Sequence, residues 1–268
     1  MPDFPTWWPA ALAGLAAIAA FAFATWLASL VRRDVSLVDR MWSVMIASAA
    51  FVYGWQLAAD ATRAAWLLGL VGAWALRLAG YITRRNWGHG EDRRYQAIRA
   101  RNQPNFAAKS LYLVFALQAV LAWLVSAPTL VALAGTRAFG ALDAAGLLLA
   151  AAGLLFETIG DAQMSHFKSL PGEAGRVMDR GLWRYTRHPN YFGEVCFWWG
   201  VWLVALGAAG AGGAWSVASP IVMTVLLLKV SGVAMLEKDI GERRPEYRDY
   251  VARTNAFFPG PPRRRGPK

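Results

Sequence analysis

Several runs of close to twenty residues carry few or no charges, and 10–30 is the plainest. No other feature restricts the fold as much. A run of about 20 apolar residues crosses a hydrocarbon core of about 30 Å. In that core no water satisfies backbone N–H and C=O groups, so each segment must satisfy its own, and the α-helix does so. A membrane β-barrel needs polar and apolar residues in alternation, and these runs do not alternate. The chain is 56% hydrophobic over 268 residues, with mean hydropathy +0.30. The expected fold is all-α, a polytopic integral membrane protein with about seven transmembrane helices. The spans read as 8–31, 41–59, 64–82, 110–127, 139–160, 192–209 and 214–236. They form a single domain over 1–260, and 261–268 is a basic, Pro- and Arg-rich tail expected to be disordered.

The net charge is +11. In a soluble chain that would suggest nucleic acid; here the placement of the charge argues otherwise. Segments 32–40, 83–109, 161–191 and 237–268 hold 3, 7, 5 and 9 Lys/Arg, and the segments on the other side hold only Arg63 and Arg137. Arg77 and Lys229 fall inside spans. This is the positive-inside pattern, which puts the basic loops and the C-terminus in the cytoplasm and the N-terminus outside. The same charge favours an anionic cofactor or anionic lipid heads. The opening MPDFPTWWPA has no basic region and no cleavage site, so it reads as a retained first span with Trp7 and Trp8 at the interface. Cys196 is the only cysteine, which excludes an internal disulfide and a cysteine metal cluster. His89, His166 and His188 are too dispersed to suggest zinc, and no metal site is expected. P-loop, GxGxxG and HExxH motifs are absent.

The outer loops are short and apolar and offer little chemistry, so the cytoplasmic segments carry the candidates. Glu157 and Asp161 are four residues apart and share a helix face. They can accept hydrogen bonds from an amide, a ribose or an arginine, and Lys168 follows two turns on. By spacing alone, a solvated helix end is the simpler reading. Residues 180–194 read RGLWRYTRHPNYFGE. Gly181 permits a turn, and Trp183 and Tyr185 are aromatic plates. Arg184, Arg187 and His188 suit phosphate, arginine through its planar fork. Asn190 stands where an N-cap would stand, with Glu194 in the first turn. A helix N-terminus behind basic residues is a plausible anion site. A positive-inside anchor with a cap is the bland alternative.

TRHPNYFGE, with its Gly-Leu-Trp turn and the upstream GD-x₆-K, resembles the C-terminal signature of the steroid 5α-reductase-like membrane proteins. RLAGYITRRNWGHGEDRRY and LEKDIGERRPEYRDYVARTNAFFP resemble the bacterial branch of that family, so the resemblance runs from about Val35 to Pro259. Sterol reductases and isoprenylcysteine-type carboxyl methyltransferases share the motifs in looser form. The resemblance implies a seven-helix reductase of a bacterial inner membrane. NADPH would come from the cytoplasm and a lipophilic enone from the bilayer. It implies that Asn190 and Glu194, in the string that also contains Tyr191, hold the nicotinamide-ribose end, and that Asp161 lies at the adenosine side. Glu157 stands where the steroid reductases have Asn, and Lys168 where they have Arg. Glu237, Lys238 and Tyr250 would close the pocket. Tyr81 matches the tyrosine that polarises the substrate carbonyl. The Gln-Glu pair of the steroid enzymes is absent from the second helix, and Asp39 is the nearest acidic candidate, so steroid specificity is not supported.

Conjugate reduction needs a positioned hydride carrier and a donor for the oxygen that gains charge. The expected donor is Tyr81, backed by Asp39 as an acid kept protonated by apolar surroundings; the bland reading of Tyr81 is an interfacial belt tyrosine. Two alternatives stand beside reduction. One is methyl transfer from S-adenosylmethionine, for which LEKDIGE is a partial match to the paired acidic motif. The other is a non-catalytic lipid-binding membrane protein. The sequence leaves oligomeric state open.

Overall fold

The computed structural model describes residues 4–173, 175–230, 232, 233, 237 and 246–263. Among these the chain is helical and has no strand. The helices are α1 (Phe4–Arg32), α2 (Leu37–Gln56), α3 (Ala61–Arg85), α4 (Arg93–Arg101), α5 (Phe106–Ala134, with a π-turn over Leu111–Ala116), α6 (Ala141–Ser169), α7 (Pro189–Ala209), α8 (Ala218–Val225, running into a π-turn over Leu226–Val230) and α9 (Glu246–Arg253). Five stretches are long and apolar enough to cross a membrane: Trp7–Arg32, Ala61–Arg85, Phe106–Ala134, Ala141–Ser169 and Pro189–Val230. The protein is an all-α polytopic membrane protein.

The last stretch has 42 residues, about 63 Å if it were one straight helix. It doubles back instead. Gly210 has φ +60, and a 3₁₀ segment Gly210–Val217 follows. A Cβ on Gly213 would stand 2.8 Å from the carbonyl of Ala205. Trp199 Nε1 donates to Thr224 Oγ1 at 3.3 Å across 25 residues of sequence. The expected spans 192–209 and 214–236 are therefore, as far as Val230, the arms of a helical hairpin.

The chain forms two compact units: Met1–Leu147 with Val201–Ser219, and Leu148–Gly200 with Pro220–Lys268. In the first unit α2 packs against α1, α3 and α5. Its buried residues are mostly small or apolar: Val38, Met45, Ile46, Ala49, Ala50 and Tyr53. A Cβ on Gly14 would stand 2.2 Å from the Tyr53 ring, so glycine is what admits that ring. α2 falls short of the length-and-apolarity measure that the five stretches meet. A helix walled by other helices has no need of a uniformly apolar surface. It also starts at Leu37, four residues before the expected 41, which brings Asp39 and Arg40 into its first turn.

The end of this unit that holds residues 57–60 and 135–140 contains a buried ion pair the sequence did not signal. Arg63 Nε donates to Asp143 Oδ1 at 2.7 Å, with the side chains 0% and 1% exposed. Arg63 Nη2 also donates to the Arg137 carbonyl, and Gly140 N to Asp143 Oδ2, each at 2.9 Å. The pairing avoids the penalty of an isolated buried charge, although Arg63 Nη1 is buried without a hydrogen-bond partner. In the second unit Arg263 N donates to the Arg253 carbonyl at 2.8 Å, so the chain is held as far as Arg263. Of the tail expected to be disordered over 261–268, residues 264–268 lie outside the described residues.

Candidate functional site

In the second unit α6 and α7 cross at three glycines, Gly153, Gly160 and Gly193. A Cβ on Gly193 would stand 2.5 Å from the Gly153 carbonyl oxygen and 2.7 Å from Glu157 N. One turn along, a Cβ on Gly160 would meet Pro189 at 3.1 Å and Asn190 N at 3.5 Å. Close backbone contact of this kind is how membrane helices associate where apolar surface gives no drive. It sets Glu157 and Asp161 of α6 beside the start of α7, which carries Asn190 and Glu194. Glu157, Asp161 and Glu194 are 1%, 4% and 6% exposed. Glu194 Oε1 accepts from Trp198 Nε1 at 3.0 Å. The solvated helix end that spacing alone suggested is therefore excluded for Glu157 and Asp161. Asn190 is not an N-cap: α7 begins at Pro189, so Asn190 is the second helical residue. Proline suits the first helical position because its missing N–H has no partner there, and the His188 carbonyl accepts from Phe192 N at 3.1 Å.

The Gly-Leu-Trp turn docks on α6. Gly181 has φ +57 and lies against Gln163, whose Oε1 accepts from Leu182 N at 2.9 Å. Trp183 Nε1 donates to the Gly160 carbonyl at 2.9 Å, and Tyr250 Oη donates to the Trp183 carbonyl. Trp183 and Tyr250 thus fasten the turn. Arg184, Tyr185 and Lys168 are exposed.

Thr186, Arg187 and His188 are buried. Thr186 Oγ1 donates to the Phe257 carbonyl at 2.7 Å, and Arg187 N to the Asn255 carbonyl at 2.9 Å. Arg187 meets Glu237 through Nε and Nη2, both at 2.8 Å, and its Nη1 donates to the Thr254 and Val251 carbonyls. His188 Nε2 lies 2.8 Å from Glu237 Oε1, and its ring stacks on Tyr191 at 5.4 Å. Tyr247 Oη donates to the same carboxylate oxygen at 3.4 Å. Burial pushes the Glu237 carboxyl up, but the bonds from His188 and Arg187 outweigh it and hold it at about 2. The expectation of Arg187 as a phosphate ligand is narrowed accordingly: most of its donors face protein oxygens. Sequence could not show this, because the partner stands 50 residues away. Lys238 lies outside the described residues.

Asp39 and Tyr81 belong to the first unit. Asp39 Oδ1 accepts from Tyr95 Oη at 2.6 Å and Oδ2 from Arg94 Nη2 at 2.8 Å. Burial raises the Asp39 carboxyl above its usual range, and Arg94 and Tyr95 offset this only in part; the acid expected behind Tyr81 is held by these two residues. Tyr95 and Arg94, which sequence reasoning missed, stand together in GEDRRY, and that string was the available signal. Glu91 accepts from Val35 N at 2.9 Å and pairs with Arg99 at 2.7 Å, tying the same segment to the α1–α2 turn. Tyr81 is half-buried on α3, with the Arg85 guanidinium 5.8 Å from its ring centre.

The family described as "Protein of unknown function (DUF1295)" matches residues 25–254. An uncharacterized protein of Schizosaccharomyces pombe (strain 972) is 26% identical over 265 residues, covering 87% of this chain and 75% of that one. No solved structure matches.

Proposed function

The chain belongs to the DUF1295 family, and we propose that it is a steroid 5α-reductase-like membrane reductase that uses NADPH to reduce a carbon–carbon double bond conjugated to a ketone in a lipophilic substrate. One observation carries the reading: three carboxylates, Glu157, Asp161 and Glu194, are buried around a glycine crossing of two membrane helices. Buried carboxylates are costly and mark functional sites in membrane proteins. Ribose hydroxyls and a carboxamide are donors that such acceptors can take, and Asn190 adds an amide beside them. For the phosphates this unit offers Arg184 and Lys168 at its surface. Lys serves as a point charge where Arg would be bidentate.

When bound, NADPH supplies a hydride to the β-carbon of the enone. The residues of the chain do the rest. Glu157, Asp161, Asn190 and Glu194 hold and orient the hydroxyl and amide groups. Glu237 fixes Arg187 and His188, and through them the turn that bears Arg184 and Tyr185. Tyr81 donates a hydrogen bond to the carbonyl oxygen as it gains charge. Asp39 works at one remove, by fixing Arg94 and Tyr95. The cytoplasmic side, as the positive-inside pattern assigns it, supplies the cofactor, and the bilayer supplies the substrate.

Two variants test the parts separately. Tyr81→Phe lowers turnover of an accepted enone by about 100-fold or more, the usual effect of losing one oxyanion donor, and leaves NADPH binding unchanged. Asp161→Ala weakens NADPH binding itself. Wild-type turnover in Tyr81→Phe removes that residue from the chemistry, and wild-type NADPH binding in Asp161→Ala removes the cofactor assignment.

A further inference from the structure

A cavity of about 750 Å³ lies in the first unit. Trp7, Trp8, Trp123 and Trp215 wall it, and Ala127, Ala209 and Gly212 leave the space open. Its tyrosine, Tyr53, lies with Oη 2.9 Å from Ser126 Oγ, Ser126 donates in turn to the Trp123 carbonyl at 2.7 Å, and Trp123 Nε1 donates to the Ala11 carbonyl at 3.0 Å. These polar groups are bonded to one another and to backbone, so they ask little of a ligand and leave a site for hydrocarbon. The cavity is far from Tyr81. Tyr53 lies near the end of α2 that leads into α3, and Tyr81 lies twenty residues into α3, so about 25 Å of helix separates their levels. The reductase reading makes no use of this space.

A cation stands next to the lining. Arg63, in the first turn of α3, and Arg137 are the basic residues at this end, and Asp143 neutralises Arg63. Arg137 is exposed, and no described carboxylate pairs with it. Its guanidinium lies over Gly210: a Cβ there would stand 2.4 Å from Arg137 Cζ. Gly210 sits between the cavity residues Ala209 and Gly212, and its φ of +60 is a conformation glycine adopts freely. The positive φ and the missing Cβ let the guanidinium pack on the backbone between two residues that line the cavity.

We propose that this cavity binds a bilayer phospholipid, with an acyl chain between the tryptophans and its phosphate on Arg137. Apolar burial holds the chain, and the arginine fork selects the phosphate. The site is separate from the reductase reading, and neither depends on the other.

The test is native mass spectrometry of the full chain in detergent, titrated with dioleoylphosphatidylglycerol or with dioleoylglycerol, which has the same chains and no phosphate. Arg137→Gln weakens phosphatidylglycerol binding about fivefold, the effect of one basic residue near an anionic lipid, and leaves dioleoylglycerol unchanged. Ala127→Phe, which fills the cavity, weakens both. Wild-type phosphatidylglycerol binding in Arg137→Gln, or wild-type binding of both lipids in an Ala127→Phe protein that melts like wild type, overturns the proposal. If Ala127→Phe does not fold, the exposed Arg137→Gln decides alone.

Discussion

Glu237 shows how much one side chain can organise. It takes Arg187 bidentately, meets His188, and accepts from Tyr247. Its carboxyl is held at about 2, against an ordinary value of 4.5. The unfolded chain therefore takes up a proton there before the folded one does. The stabilisation is fully present above about pH 4.5 and falls as pH drops towards 2. Glu237→Gln should melt lower than wild type at pH 7 and lose less on going to pH 4, as followed by thermal unfolding in detergent. An equal acid slope in both proteins would remove Glu237 as the linked group. At this scale the sequence was partly legible. RHPNYFGE marked the right place, and Glu237 was a candidate. Arg187, however, read as a phosphate ligand because its partner Glu237 is remote in sequence, and the bonds of Asp39 to Arg94 and Tyr95 were passed over.

Helices were the most legible part, because a bilayer leaves a spanning segment few other choices. Ends and contacts were less so. α2 begins earlier than expected, and Asn190 moves from cap to second helical residue, because Pro189 itself opens α7. Glycines could not be ranked from sequence at all. Gly193 faces the Gly153 carbonyl at 2.5 Å from a would-be Cβ, whereas Gly69 has nothing within 4 Å. Gly193→Ala should destabilise by about 1–3 kcal/mol through overpacking, and Gly69→Ala should stabilise by up to about 1 kcal/mol through helix propensity. Melting temperatures of the two variants check this pair; the reverse order would mean that the crossing is not as tight as described.

For the whole molecule, the distribution of charge said more than its total. The +11 charge concentrates in four segments, and the rule that reads topology from such a bias puts them in the cytoplasm. In a Cys196→Ser background, Thr136→Cys should react with a membrane-impermeant maleimide on intact cells, and Arg101→Cys only after permeabilisation. The opposite pattern would invert the topology. What the sequence could not convey is the spacing of buried carboxylates, which depends on the glycine crossing, and the apolar cavity, which depends on residues from α1, α2, α5 and the 3₁₀ segment. The central claim is that the buried acids serve NADPH. A ligand that binds only the folded state raises its apparent stability. The direct measurement is thermal unfolding of the detergent-purified protein with NADPH, NADP⁺, NADH, S-adenosylmethionine or nothing. The account predicts a rise with NADPH, lost in Asp161→Ala, and none with S-adenosylmethionine. A rise with S-adenosylmethionine alone, or none with any of the four, would contradict it.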